Sequence, residues 1–93
     1  MNEAEFRQQL KAQGYGEPEV IEREANLSNE DHTHDFSACA LILTGEITVT
    51  TADRATTCRA GDTFTLAGGI AHHENYGAEG ARFLLGRRGA DFV

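Results

Sequence analysis

His32-Thr33-His34 is the stretch with the clearest chemistry. Two His separated by one residue on an extended segment project to the same side, because strand side chains alternate faces. A third, His72, lies about forty residues on, within Gly69-Ile70-Ala71-His72-His73-Glu74. It reaches the first pair only if the chain folds back as a sheet or barrel. Three imidazoles converging inside a closed β-structure make a site for a divalent transition metal. Zn, Ni, Cu, Fe and Mn all suit imidazole to differing degrees, so ligand type leaves the metal's identity open. No Ser/His/Asp or Cys/His nucleophile arrangement and no phosphate-cradling loop is evident.

The elements that must position these residues follow from pattern. Glu3 to Gln13 reads as a short helix: Phe6 and Leu10 share one face, acidic residues fill the first turn and Lys11 the last. Gly14 is its stop signal. Its one apolar stripe is expected on the outside of the barrel or on a partner. Pro18 and the charges of Glu19 to Ala25 predict an edge strand. Phe36 to Leu43 is the most apolar run and reads as a strand buried on both faces. Thr44-Gly45-Glu46 reads as a tight turn into a β-branched strand from Ile47 to Thr51, a hairpin. Short strands follow at Thr56 to Arg59 and Thr63 to Leu66. Ile70 to Tyr76 is expected as the strand carrying the third His. Gly77-Ala78-Glu79-Gly80 reads as a turn into a last strand, Ala81 to Arg87, with a tail from Gly89. This rhythm of some seven short strands predicts a sandwich or barrel. Phe36, Leu41, Leu43, Ile47, Val49, Phe64, Leu66, Phe83 and Leu85 are the expected core, some of them lining a pocket mouth.

With 93 residues the chain is expected to be one domain, 1–93, with a helix in 1–14 and a barrel in 19–88. It is near the lower size limit for a good core, which, with the edge strand, predicts a homodimer. The formal net charge of −7 argues against nucleic-acid partners and anionic membrane surfaces. No apolar stretch approaches a membrane span, and the acidic start at Met1-Asn2-Glu3 is not a signal peptide. Two Cys make no disulfide framework, so a cytoplasmic reducing setting is the expectation.

Two motifs give the chain a family resemblance. His32 and His34 stand at the spacing of a His-x-His pair, with Gly45 at the position that closes the motif. Further on come Gly61, then Gly69, then His72. In both spacings the sequence resembles a small single-domain cupin over roughly residues 20–88. It departs from the family pattern where a Glu is usual, at Ala38, where a Pro is usual, at Ala67, and where an Asn is usual, at Tyr76. Asn26 stands where a Gly precedes the first motif. The resemblance implies a double-stranded β-helix (jelly-roll barrel) with a short N-terminal helix, and a metal held by His32, His34 and His72. One cupin branch, the thiol dioxygenases, places a Cys where Cys39 stands, but the following Gly comes one residue too early. Cys39 reads instead as a small buried hydrophobe.

The vacant Glu position directs attention to Glu74. If His72 points into the barrel, residue 74 points the same way, about 7 Å further along a strand. A carboxylate among apolar walls needs a cation or donor to meet it. Glu74 is therefore a candidate fourth ligand, or a candidate general base holding a metal-bound water, set against a plain rim residue. His73 is expected on the opposite face, and Asp62 as a turn residue capping local backbone N–H groups. An apolar cavity with convergent His fits a small organic ligand. The functions this leaves are a metal-dependent enzyme acting on a small molecule, a non-catalytic metal- or ligand-binding module, and a metal-free cupin.

Overall fold

The structure, a computed structural model, describes residues 1–89; the expected tail beyond Gly89 lies outside the described residues. One helix precedes five strands: α1 (Glu3–Ala12), β1 (Glu19–Arg23), β2 (Phe36–Thr50), β3 (Ala55–Arg59), β4 (Thr63–Leu66) and β5 (His73–Gly89). The strands run β1-β5-β2-β3, with β4 also pairing to β2, and all pairings are antiparallel.

The helix begins where the sequence provides a cap. Asn2 Oδ1 accepts from the Glu5 backbone N–H at 2.8 Å, and Glu5 Oε1 accepts from the Asn2 N–H at 3.1 Å. This reciprocal pair satisfies two donors that the first turn leaves open. The helix ends at Ala12 with Gln13 as its cap, and Gly14 follows at φ +79°. Phe6 and Leu10 are fully buried against Tyr15, Cys39, Leu41 and Leu84 on the outer face of the sheet. Each such side chain contributes about 1.5–3 kcal/mol by leaving water. Gly86 leaves room for the helix, since a Cβ there would stand 2.9 Å from Leu10 Cδ1.

Two expected turns do not exist. The hairpin over Thr44-Gly45-Glu46 is instead the middle of β2, and the turn at Gly77 to Gly80 is the middle of β5. The two long strands pair along their length, with register shifts between Ile42 and Thr44 and between Gly45 and Ile47. Glycine serves here to bring backbones together. Gly45 has φ +81°, and a Cβ on it would lie 2.0 Å from the Gly80 carbonyl oxygen. The bulge bends β2 and lets the sheet curl on itself.

The strand's alternation then divides the core. Ala40, Ile42, Ile47, Val49, Cys58, Tyr76, Ala81 and Phe83 form the interior. Of the expected core, Leu41, Ile47, Val49 and Phe83 are buried, whereas Phe36, Leu43, Phe64, Leu66 and Leu85 are half-buried. Cys39 is wholly buried in the cluster under α1, on the face of β2 away from the interior. Asp62 caps as expected, its Oδ2 accepting from the Arg59 N–H at 2.9 Å. β1 lies at one end of the strand order, with Val20 48% exposed.

Candidate metal centre

The segment that carries His32 and His34 has little regular structure, yet it is zipped to the segment that carries His72. The Asn26 N–H donates to Gly77 O, the Tyr76 N–H to Leu27 O and the Gly69 N–H to His34 O, at 3.0, 2.9 and 2.8 Å. His32 and His72 form an isolated antiparallel bridge, each backbone N–H donating to the other's carbonyl at 2.8 and 3.0 Å. His72 therefore stands just before β5, in place of the expected strand starting at Ile70. The backbone pairing fixes the two halves of the site in register.

The three imidazoles meet. His32, His34 and His72 each offer a nitrogen within 4.8 Å of the others. Ring centroids stand 4.8 Å apart for His32 and His34 and 4.4 Å apart for His32 and His72. The ring tautomers follow from their partners. His32 Nδ1 lies 2.8 Å from Glu30 O and His72 Nδ1 lies 2.9 Å from Ile70 O. A carbonyl only accepts, so both Nδ1 atoms carry the hydrogen and donate. In the neutral rings this leaves an Nε2 lone pair on each, and these are the two atoms nearest Glu74. His34 has no such bond; its ring stacks on Phe36 at 4.7 Å between centroids. Burial holds its pKa below the ordinary 6.5, and the neighbouring His32 and His72 lower it further. It stays neutral near pH 7, the form that ligates metals.

Glu74 faces this cluster. Its Oε2 lies 2.9 Å from His72 Nε2 and 3.7 Å from His32 Nε2. Its Oε1 accepts from Asn29 Nδ2 at 2.9 Å, and the Glu74 N–H donates to Asn29 Oδ1 at 2.8 Å. Asn29 is the residue the sequence pattern does not single out: it is one polar residue in a polar stretch, and only its pairing with Glu74 of β5 aims the carboxylate. His73 points away from the cluster, with Nδ1 2.5 Å from Asp31 Oδ1.

The cluster opens into a cavity of about 210 Å³. Ala38, at the family's Glu position, is part of its wall, as are Ile47, Phe64, Leu66, Phe83 and Leu85. Tyr76 lines it too; burial and then the charge of Glu74 raise its phenol pKa, against an opposing hydrogen bond from Arg23. The cavity thus joins a cluster of nitrogen and oxygen donors to an apolar chamber.

The chain belongs to the family described as Cupin domain, whose pattern matches residues 20–86. Solved structures share the barrel. The Cupin domain of Schizosaccharomyces pombe Cnp3 superposes with a TM-score of 0.68 at 19% identity, covering 75% of this chain and 53% of that one. The Clostridium difficile EutQ protein gives 0.68 at 16% identity, covering 89% and 64%. The DMSP lyase DddQ of Ruegeria pomeroyi gives 0.69 at 21% identity, covering 80% and 38%. At these identities the likeness is one of fold, and the chain spans less than two thirds of each of these structures. Among curated protein sequences none matches this chain. Among the described residues no helix is long and apolar enough to cross a membrane.

Proposed function

We propose that His32, His34 and His72 bind one divalent transition metal, and that the cavity beside it takes a small organic molecule. The observation that carries this reading is the contact between Glu74 Oε2 and His72 Nε2. With Nδ1–H given to the Ile70 carbonyl, a neutral His72 presents a lone pair to a carboxylate oxygen. Two acceptors at this distance need a proton or a cation between them. A cation shared with His32 and His34 meets all four groups at once. The backbone carbonyls that hold Nδ1–H are the supporting contacts that metal-binding imidazoles commonly have.

In this reading Glu74 occupies the role left vacant by Ala38, as a fourth ligand or as the base that takes a proton from a bound water. The metal, when bound, supplies a Lewis acid next to the chamber. The chain's own residues do the rest. Asn29 fixes one carboxylate oxygen so that the other points to the cluster. The walls formed by Phe64, Leu66 and Phe83 exclude water from a ligand's apolar part. A non-catalytic metal-binding module is the second reading, and the closeness of Glu74 favours it, because four protein donors leave little room for exchange.

Metal analysis of purified protein, followed by titration with Zn, Ni, Mn, Cu and Fe(II), tests the proposal. One equivalent bound is expected; a chain that carries none and takes up none ends the metal reading. Fast water-proton relaxation in the Mn-loaded protein would favour the enzyme over the closed module. The open edge of β1 and its exposed Val20 further support a homodimer, which light scattering at micromolar concentration tests.

A further inference from the structure

The charges lining the cavity run against those of the whole chain. The protein carries a net −7, yet the permanently charged residues on the cavity wall are Arg23 and Arg87 against a single Glu74. Glu19 offsets the charge of Arg87 from outside the lining, so what the chamber offers an anion is the donors of two guanidiniums rather than an excess of positive charge.

The two arginines are not equivalent. Arg23 is committed: its Nη1 donates to the Glu22 carbonyl at 2.9 Å, and it hydrogen-bonds the Tyr76 side chain. Arg87 stands at the end of a column of rings. Its guanidinium lies 5.3 Å over the Phe36 ring, and Phe36 stacks in turn on His34 at 4.7 Å. The guanidinium is thus two ring spacings from an imidazole of the histidine cluster, with Phe36 between. Only Nη1 of Arg87 is directed at Glu19, on the half-exposed edge strand. A planar fork of five donors has capacity left for a second carboxylate, which it matches in bidentate geometry.

We infer that the cavity selects a small organic carboxylate, its carboxylate bound by Arg87 and its apolar body lying along Phe36 toward the histidine cluster. This deepens the metal-and-ligand reading and rests on it for what the far end of the ligand meets. Size sets the scale: the cavity holds about seven waters at about 30 Å³ each, which limits the ligand to a short chain or a single ring. Glu19 competes with the ligand for the same guanidinium, so Arg87 is held ready but partly occupied.

The test uses hexanoate and its neutral isostere hexanamide as probes, titrated by calorimetry or NMR into the full chain, both zinc-loaded and chelator-treated. Wild-type protein should bind hexanoate about tenfold or more tighter than hexanamide, as a charge-assisted pair predicts. Arg87→Met should abolish that preference, bringing hexanoate down to the affinity of hexanamide, while the circular dichroism and thermal melt stay those of wild type, so that loss of structure is excluded. Glu19→Gln should raise hexanoate affinity severalfold, and it decides the matter if Arg87→Met does not fold. Equal binding of the two probes by wild-type protein overturns the inference. So does a preference that survives Arg87→Met, or a Glu19→Gln variant with unchanged hexanoate affinity. If no metal loads, the metal reading falls alone, because the dependence on Arg87 is still measured in the chelator-treated protein.

Discussion

Glu74 Oε2 stands 2.9 Å from Nε2 of His72, two residues before it, while its other oxygen is held by Asn29. Under the proposed reading, the second motif supplies the carboxylate that the first motif lacks. A ligand set can be kept by moving one donor to a neighbouring strand, provided that the new position points to the same place.

Glu74→Gln keeps the shape and the contact to Asn29 but removes the charge. Metal affinity should fall about 10–100-fold if the carboxylate ligates or supports the site. A chelator competition titration measures it. Unchanged affinity, with unchanged pH dependence of ligand binding, would return Glu74 to the rim.

His34→Ala and His72→Ala should each remove stoichiometric metal. A metal that binds only the folded chain stabilises it, so under the proposed reading zinc at a hundred times its Kd should stabilise wild-type protein by about 2.7 kcal/mol. Thermal melts should therefore show a rise of roughly 10–20 °C for wild type with zinc and almost none for either variant. A zinc-dependent rise that persists in both variants places the ion elsewhere.

The two glycine bends carry a stability prediction. Gly45→Ala combines a left-handed backbone with a Cβ 2.0 Å from Gly80 O, so strain and clash add. The expected loss is about 2–4 kcal/mol. Gly61 has φ +89° but nothing within 4 Å of its Cβ position, so Gly61→Ala should lose only about 1–2 kcal/mol. Urea unfolding of the two variants separates the terms. Equal losses would mean that the close approach of β2 and β5 contributes nothing.

These same glycines show what the sequence could and could not reveal. The His spacing, the helix with its Phe6 and Leu10 stripe, and the β-rich character of the rest were legible because each is local, whereas the expected seven short strands are five, two of them long. Gly45 and Gly77 to Gly80 looked like turns, because a glycine that reverses the chain and one that permits a bulge read alike. Only the pairing of β2 with β5, between residues distant in sequence, tells them apart. Asn29 was hidden for the same reason, since its role exists only through its partner 45 residues away.

Titration behaviour follows from burial. In the unfolded chain His34 titrates near 6.5, and in the folded chain lower, because burial and then its His neighbours disfavour the charge. The unfolded state binds the proton first, so stability rises with pH through this window and is lost as pH falls below 6.5. On the alkaline side, burial raises the Cys58 thiol above 9.0 and the Tyr76 phenol above 10.0, with Asp62 and Glu74 adding respectively. The unfolded chain releases those protons first, so stability declines once pH passes the thiol range. The melting temperature of metal-free protein should thus be highest between these limits. A profile flat from about pH 5 to pH 10 would refute both assignments.

The proposed relocation of the carboxylate is tested by reversing it. Ala38 lies on the cavity wall, on the strand β2 that begins just after His34, at the family's Glu position. The chamber of about 210 Å³ gives a Glu side chain space without overpacking. Ala38→Glu in the Glu74→Gln background therefore moves the negative charge back to β2 at constant net charge. The double variant should recover most of the metal affinity lost by Glu74→Gln, which is a coupling between the two positions that independent sites would not show. Ala38→Glu alone places two carboxylates around one cluster. Without metal they repel, so that variant should be less thermally stable than wild type after chelation and gain more from added zinc. The four proteins, each melted with and without zinc and titrated against a chelator, complete the cycle. If the double variant binds metal no better than Glu74→Gln, the two positions do not serve one site, and the vacancy at Ala38 is unrelated to Glu74.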